Sequence, residues 1–111
     1  VITRGSVYFV NLDPVQGHEQ GRQRPALVIS EDVFNNGPAR LVVILPITST
    51  SRGIPLHVSL SPPEGGLTGD SVIMCDQIRT ISTSRLGRRM GSVSQGVLAH
   101  VEDRLRILLR L

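Results

Sequence analysis

The apolar residues of this chain come in short runs, each closed by a turn residue, and only the last stretch departs from that pattern. Runs at 6–12, 24–30, 41–47, 55–60, 70–75 and 90–93 have strand length, with Pro, Gly, Asn or Asp between them. Residues 55–60 alternate, with His57 and Ser59 on one face and Leu56, Val58 and Leu60 on the other, as an edge strand does. Asn36-Gly37-Pro38 forces a turn, and Ser30 can cap a helical turn over 31–36. A second short helix is expected over 82–87. From Ser94, a plausible N-cap, Val97, Leu98, Val101, Leu105, Leu108 and Leu109 recur at helical spacing, with Glu102 and Arg106 at i, i+4. Short strands with turns between them, ending in one helix, predict a mainly β (α+β) fold, a small antiparallel barrel in one domain over 1–111. Pattern alone leaves an SH3-like and an OB-like barrel open.

Composition removes many functions. A chain of 111 residues holds one core, and 40% apolar content argues against disorder. Aromatics make up 3%, namely Tyr8, Phe9 and Phe34, too few for a base-stacking platform. Nucleic acid, if bound, is held by charge and hydrogen bonds. All 12 basic side chains other than histidine are arginines. The absence of lysine excludes a P-loop, a Schiff-base enzyme and a Ser–Lys dyad. The net charge of +3 permits a polyanionic partner without demanding one. Cys75, the only cysteine, lies in an apolar run and reads as a buried structural thiol. His18, His57 and His100 are scattered, so no metal pattern appears, and no cofactor is expected. No run is long enough to span a membrane and no signal-peptide core is seen, so the expected location is the cytoplasm.

Residues 13–23 form a long connection that packs an imidazole, a carboxylate, an amide and guanidinium groups just before a buried strand begins. Arg24 stands at the junction, and Pro25 after it favours an extended backbone. Four blocks, in order, then carry a resemblance: Arg4-Gly5-Ser6-Val7-Tyr8 with Leu12-Asp13-Pro14; Gly17-His18-Glu19-Gln20 through Arg24-Pro25-Ala26-Leu27-Val28; Pro46-Ile47-Thr48-Ser49; and Asp76-Gln77-Ile78-Arg79-Thr80-Ile81. Together they resemble the MazF/PemK (Kid) family of bacterial toxin endoribonucleases. The resemblance implies the SH3-like barrel of the CcdB/PemK type with a C-terminal helix. It also implies a homodimer and an acidic antitoxin.

RNA can be cut without metal by its own 2′-hydroxyl if a protein removes that proton, stabilises the charged phosphorane and lets the 5′-oxygen be protonated. Arg24 suits the second task, because its fork matches two phosphate oxygens and its charge is permanent. An ion pair with Glu19 or Glu31 is the plainer role for that side chain. Thr48 can donate its hydroxyl to phosphate, or simply cap its loop. The resemblance places the essential arginine and threonine at Arg24 and Thr48. It makes Asp76 a third catalytic candidate, proposed as the base in the PemK branch beside an arginine two residues earlier. Here that earlier residue is Met74, which cannot donate a proton, so the Asp–Arg arrangement does not transfer intact. His18, Glu19, Gln20, Ser49, Gln77 and Arg79 are the RNA-binding candidates, and His57 and His100 are given no role. Arg85, Arg88 and Arg89 form a basic cluster, a solvated face or a guide for RNA or an acidic partner.

The expected function is thus a toxin of a type II toxin–antitoxin pair, a metal-independent endoribonuclease acting on single-stranded RNA. The alternative is a non-catalytic, CcdB-like inhibitor of DNA gyrase.

Overall fold

The computed structural model describes residues 1–12 and 23–111. His18, Glu19 and Gln20 therefore lie outside the described residues. Strands β1 (Ser6–Asn11), β2 (Gln23–Val28), β3 (Leu41–Thr48), β4 (His57–Leu60), β5 (Ser71–Met74), β6 (Arg79–Ser82) and β7 (Leu86–Ser92) join helices α1 (Asp32–Asn35) and α2 (Gln95–Leu109). The strands form one antiparallel sheet in the order β4-β5-β3-β2-β1-β7. β3 forks: its first half, Leu41 to Ile44, pairs with β6, and its end, Ile47 and Thr48, pairs with β5. The small antiparallel sheet with a C-terminal helix is the expected fold. Among the described residues β4 and β7 are not paired with one another, so the sheet is open rather than a closed barrel.

Alternation along β1–β3 divides the core in two. Val7, Leu27, Leu45 and Ile47 face one cluster, which Leu98 and Val101 of α2 complete. Tyr8, Val10, Ala26, Val28, Val42 and Ile44 face the other, with Ile81 of β6. The period of two thus buries both faces of the central strands. Fully burying Leu98 or Val101 contributes roughly 1.5–3 kcal/mol each. Ser94 caps α2 as expected: its hydroxyl accepts from the Val97 N–H at 3.2 Å. The turn Glu64–Gly66 presses against β7 so closely that a Cβ at Gly66 would meet the Met90 carbonyl oxygen at 2.0 Å. Its φ of +73° also favours glycine.

Three local expectations change. Ser30 does not cap α1, because its hydroxyl accepts from the Val43 N–H and bonds the Asn35 side chain, while Glu31 is the N-cap. Glu102 pairs with Arg4 at 2.8 Å rather than with Arg106, tying the N-terminal segment to α2. The helix expected over 82–87 is a single 3₁₀ turn, Thr83–Arg85, after which β7 begins; pairing with β1 overrides the weak local preference.

Candidate active site

β2 and β3 both carry a proline where their shared ladder ends. Ala26 pairs with Pro46, and Pro25 precedes it. Proline offers no N–H, so neither strand extends the ladder at that point. Continued by two residues, the same register brings Arg24 opposite Thr48. Both line a cavity of about 360 Å³ with Thr50, Arg52, Ile54, His57, Met74 and Gln77. They also line a neighbouring one of about 340 Å³ that reaches Phe9, Ser49 and Met90. Arg24 is exposed, and among the described residues no hydrogen bond or ion pair holds its guanidinium, Glu31 included. The Thr48 hydroxyl accepts from the Thr50 N–H at 3.2 Å, which leaves its own proton to donate.

The far wall comes from the β4–β5 hairpin. Register places His57 opposite Met74, and the chain turns at Cys75–Gln77. That turn brings Asp76 back to the histidine, with Oδ1 2.9 Å from Nε2. The imidazole is 7% exposed and the carboxylate 31%. The His57 Nδ1 is buried, with no hydrogen-bond partner among the described residues. Behind them Cys75 is wholly buried. Burial pushes its thiol up to about 11, opposed by Arg104 and reinforced by Asp76. Cys75 is therefore the structural thiol expected of it.

The expected residues are thus partly brought together. Arg24, Thr48 and Gln77 share the cavity, and Ser49 borders the neighbouring one. Asp76 does not line the cavity itself; it is joined to it through His57. Arg79 lies in β6 opposite Ile44, away from these walls. His57, given no role from the sequence, lines the site. Its place on the polar face of an edge strand was the one available signal. In the basic cluster, Arg88 stacks over the Phe9 ring at 5.0 Å and the Arg89 Nε donates to the Ser6 hydroxyl at 3.2 Å. Among the described residues no three His, Cys, Asp or Glu side chains gather as a metal-holding group, and no helix is long and apolar enough to cross a membrane.

Residues 3–109 match the family described as the PemK-like, MazF-like toxin of type II toxin–antitoxin systems. The chain is 37% identical over 112 residues to the endoribonuclease EndoA of Bacillus subtilis, covering 100% of this chain and 97% of that protein. It is 38% identical over 116 residues to the endoribonuclease MazF9 of Mycobacterium tuberculosis, covering 100% and 98%. A MazE–MazF crystal structure from Deinococcus radiodurans superposes with a TM-score of 0.86 at 34% identity, covering 100% of this chain and 97% of that one. Sequence blocks, sheet order and relatives agree: this chain belongs to the PemK-like, MazF-like toxins of type II toxin–antitoxin systems.

Proposed function

We propose that the protein is an endoribonuclease that cuts single-stranded RNA at the Arg24–Thr48 cavity. The reading rests above all on one observation: a guanidinium without a described partner faces a hydroxyl donor across the open ends of two strands. The Arg24 fork takes two non-bridging oxygens of the scissile phosphate, and Thr48 donates to a third position as charge builds. Arg52 adds a second cation on the same cavity. The RNA 2′-oxygen attacks phosphorus, the bond to the 5′-oxygen breaks, and the products are a 2′,3′-cyclic phosphate and a 5′-hydroxyl. No metal takes part. Gln77 and Ser49 border the two cavities and are suited to reading base edges; His18, Glu19 and Gln20, outside the described residues, are candidates for the same role on the sequence resemblance alone.

The named relatives are endoribonucleases, which supports this reading over a gyrase-binding inhibitor. A pure binder would also have no need of the cavity's arrangement. An acidic antitoxin is the expected partner: a relative is seen with MazE, and the chain carries a net charge of +3. A homodimer is expected as well. The end of α2 leaves Ile107, Leu109 and Leu111 exposed on the single chain, apolar surface that a second copy would cover.

The test is incubation of the purified protein with a mixed-sequence RNA, with fragment ends mapped. Cleavage at a recurrent short sequence, with cyclic-phosphate ends and full activity in EDTA, is expected. Intact RNA, or activity that EDTA abolishes and magnesium restores, overturns the reading. Saturating antitoxin is expected to stop cleavage, and light scattering to give a dimer mass.

A further inference from the structure

We propose that Asp70 selects the base beside the scissile phosphate, accepting a hydrogen bond from the amino group of adenine, cytosine or guanine and rejecting uracil. The inference rests on the endoribonuclease reading above and adds to it a residue that sets sequence choice. Arg24 and Thr48 are shared by two adjoining cavities whose linings differ in charge. The cavity of about 360 Å³ holds Arg52 as well as Arg24, and no carboxylate among its described lining residues. The cavity of about 340 Å³ has Arg24 as its only cation and Asp70 as its only carboxylate, again among the described residues.

The second cavity is built for a flat ring rather than for a phosphate. Buried Leu67 and half-buried Phe9 and Met90 give it apolar sides, while Ser49, Thr68 and Asp70 are exposed and set polar groups at its rim. Apolar walls with a few placed polar groups are what orient a small heterocycle. A phosphate there would meet a like charge at Asp70, whereas in the first cavity it meets two cations. A strand whose scissile phosphate is held at Arg24 therefore brings a neighbouring nucleotide to the second cavity. Sheet register fixes where Asp70 stands. Thr48 pairs with Val72 and Leu60 with Ser71, so Asp70 directly precedes paired strand. The Ser71 hydroxyl donates to the Gly69 carbonyl oxygen at 3.1 Å and closes the turn around it.

The chemistry of the rim then sorts the bases. Bases in single-stranded RNA are read along their exposed hydrogen-bonding edges. An ionised carboxylate only accepts, so it favours a base that brings donors. Adenine, cytosine and guanine each carry an amino group on that edge. Uracil carries two carbonyl oxygens on either side of a single N–H, and a carboxylate facing that edge meets an oxygen that repels it. The hydroxyls of Ser49 and Thr68 both donate and accept, so they add affinity without this choice. Among the described residues, discrimination in this cavity thus falls to Asp70.

The test uses RNAs that carry the mapped cleavage sequence, with the nucleotide on each side of the cut varied through every base. The ratio kcat/KM is measured for the natural chain, Asp70→Ala and Asp70→Asn, with thermal melting as the check on folding. At one of the flanking positions the natural chain is expected to favour an amino-bearing base over uracil by about 10- to 100-fold. Asp70→Ala should remove most of that preference. Asp70→Asn should raise the cutting of uracil, because its amide can donate to a carbonyl oxygen. Replacing the preferred base by its analogue without the amino group (inosine for guanosine, purine riboside for adenosine, the 4-deoxy analogue for cytidine) should slow the natural chain and leave Asp70→Ala unaffected. Uracil cut as well as the other bases at both positions overturns the proposal. So does a folded Asp70→Ala protein that keeps the preference, including one slowed equally on every RNA, where Asp70 would merely support Arg24. If the natural chain cuts no RNA at all, it is the endoribonuclease reading that has failed, and this assignment falls with it.

Discussion

Arg24 and Thr48 reach the cavity from the ends of two central strands, and no described side chain holds the guanidinium in place. His57 reaches it from an edge strand and is fixed at 2.9 Å to Asp76, which stands outside the cavity in the turn after the neighbouring strand, next to the buried Cys75. The first wall is positioned by sheet register alone and its cation is left for a ligand. The second is positioned by a side-chain contact between the imidazole and the carboxylate. The contrast separates two ways of placing a side chain. A charge that must meet an incoming phosphate gains from being exposed and unpaired, whereas a side chain held by a neighbour keeps one orientation and shapes the wall.

Removing the exposed cation is the strongest way to break this division. Arg24→Ala is expected to reduce cleavage by about 100- to 1000-fold with an unchanged melting temperature, since the side chain is exposed and supports no described neighbour. Arg24→Lys should also be poor, because the two-pronged fork is lost. A normal rate in a folded Arg24→Ala protein would leave the first wall without a function. Thr48→Val probes the same wall more gently. Loss of one hydrogen bond to phosphate should slow the reaction about tenfold; no change in a timed cleavage assay would remove Thr48 from the chemistry.

Met74→Arg asks whether the second wall can be converted into the aspartate–arginine arrangement of the PemK branch. Met74 is half-buried opposite His57, on a cavity that already holds Arg24 and Arg52. A third cation there repels the other two and disturbs the imidazole, so the rate should not rise and the melting temperature should fall. A clear gain in rate would assign the base role to Asp76 and leave Arg24 as a phosphate-binding group.

The smallest effect concerns Cys75, which anchors the second wall to the core. Burial disfavours the thiolate and pushes the folded thiol up to about 11, from an ordinary value of 9.0. A raised acid pKa gives stability that is complete below the unfolded value and lost as pH climbs through the folded one. Melting temperature should therefore decline between pH 9 and about 11, and Cys75→Ala should flatten that decline. An identical slope in the two proteins would show that the thiol does not titrate with unfolding.

The first wall was legible in the sequence because each of its residues stands beside its own apolar run: Arg24 before the strand that starts at Pro25, Thr48 after the one that ends at Ile47. The strands that coincide with apolar runs followed the same rule, and α2 begins at the expected Ser94 cap. The second wall was not legible, because it depends on how β4 and β5 align. His57 and Asp76 are separated by 19 positions, and only the register of His57 against Met74 brings them together. Periodicity assigned His57 to the outward face with Ser59, but could not show that a later turn would fold a carboxylate over it. β6 escaped notice for a related reason. Its four residues, exposed, exposed, buried and half-buried, are strand only because the first half of β3 lies alongside.

The fork in β3 has a consequence for which length changes the family can absorb. The branch carrying His57 is attached to β3 through a short ladder, Ile47 against Ile73 and Thr48 against Val72. A side chain changes face with every single position along a strand. One residue inserted inside β5 would therefore turn Ile73 outward and Met74 inward, and would carry Asp76 away from the imidazole while Arg24 and Thr48 stayed where they are. The same insertion between residues 61 and 70, in the turn-rich link before β5, would be taken up as slack. Natural length variation that preserves the activity should gather in that link and be missing from the four residues of β5.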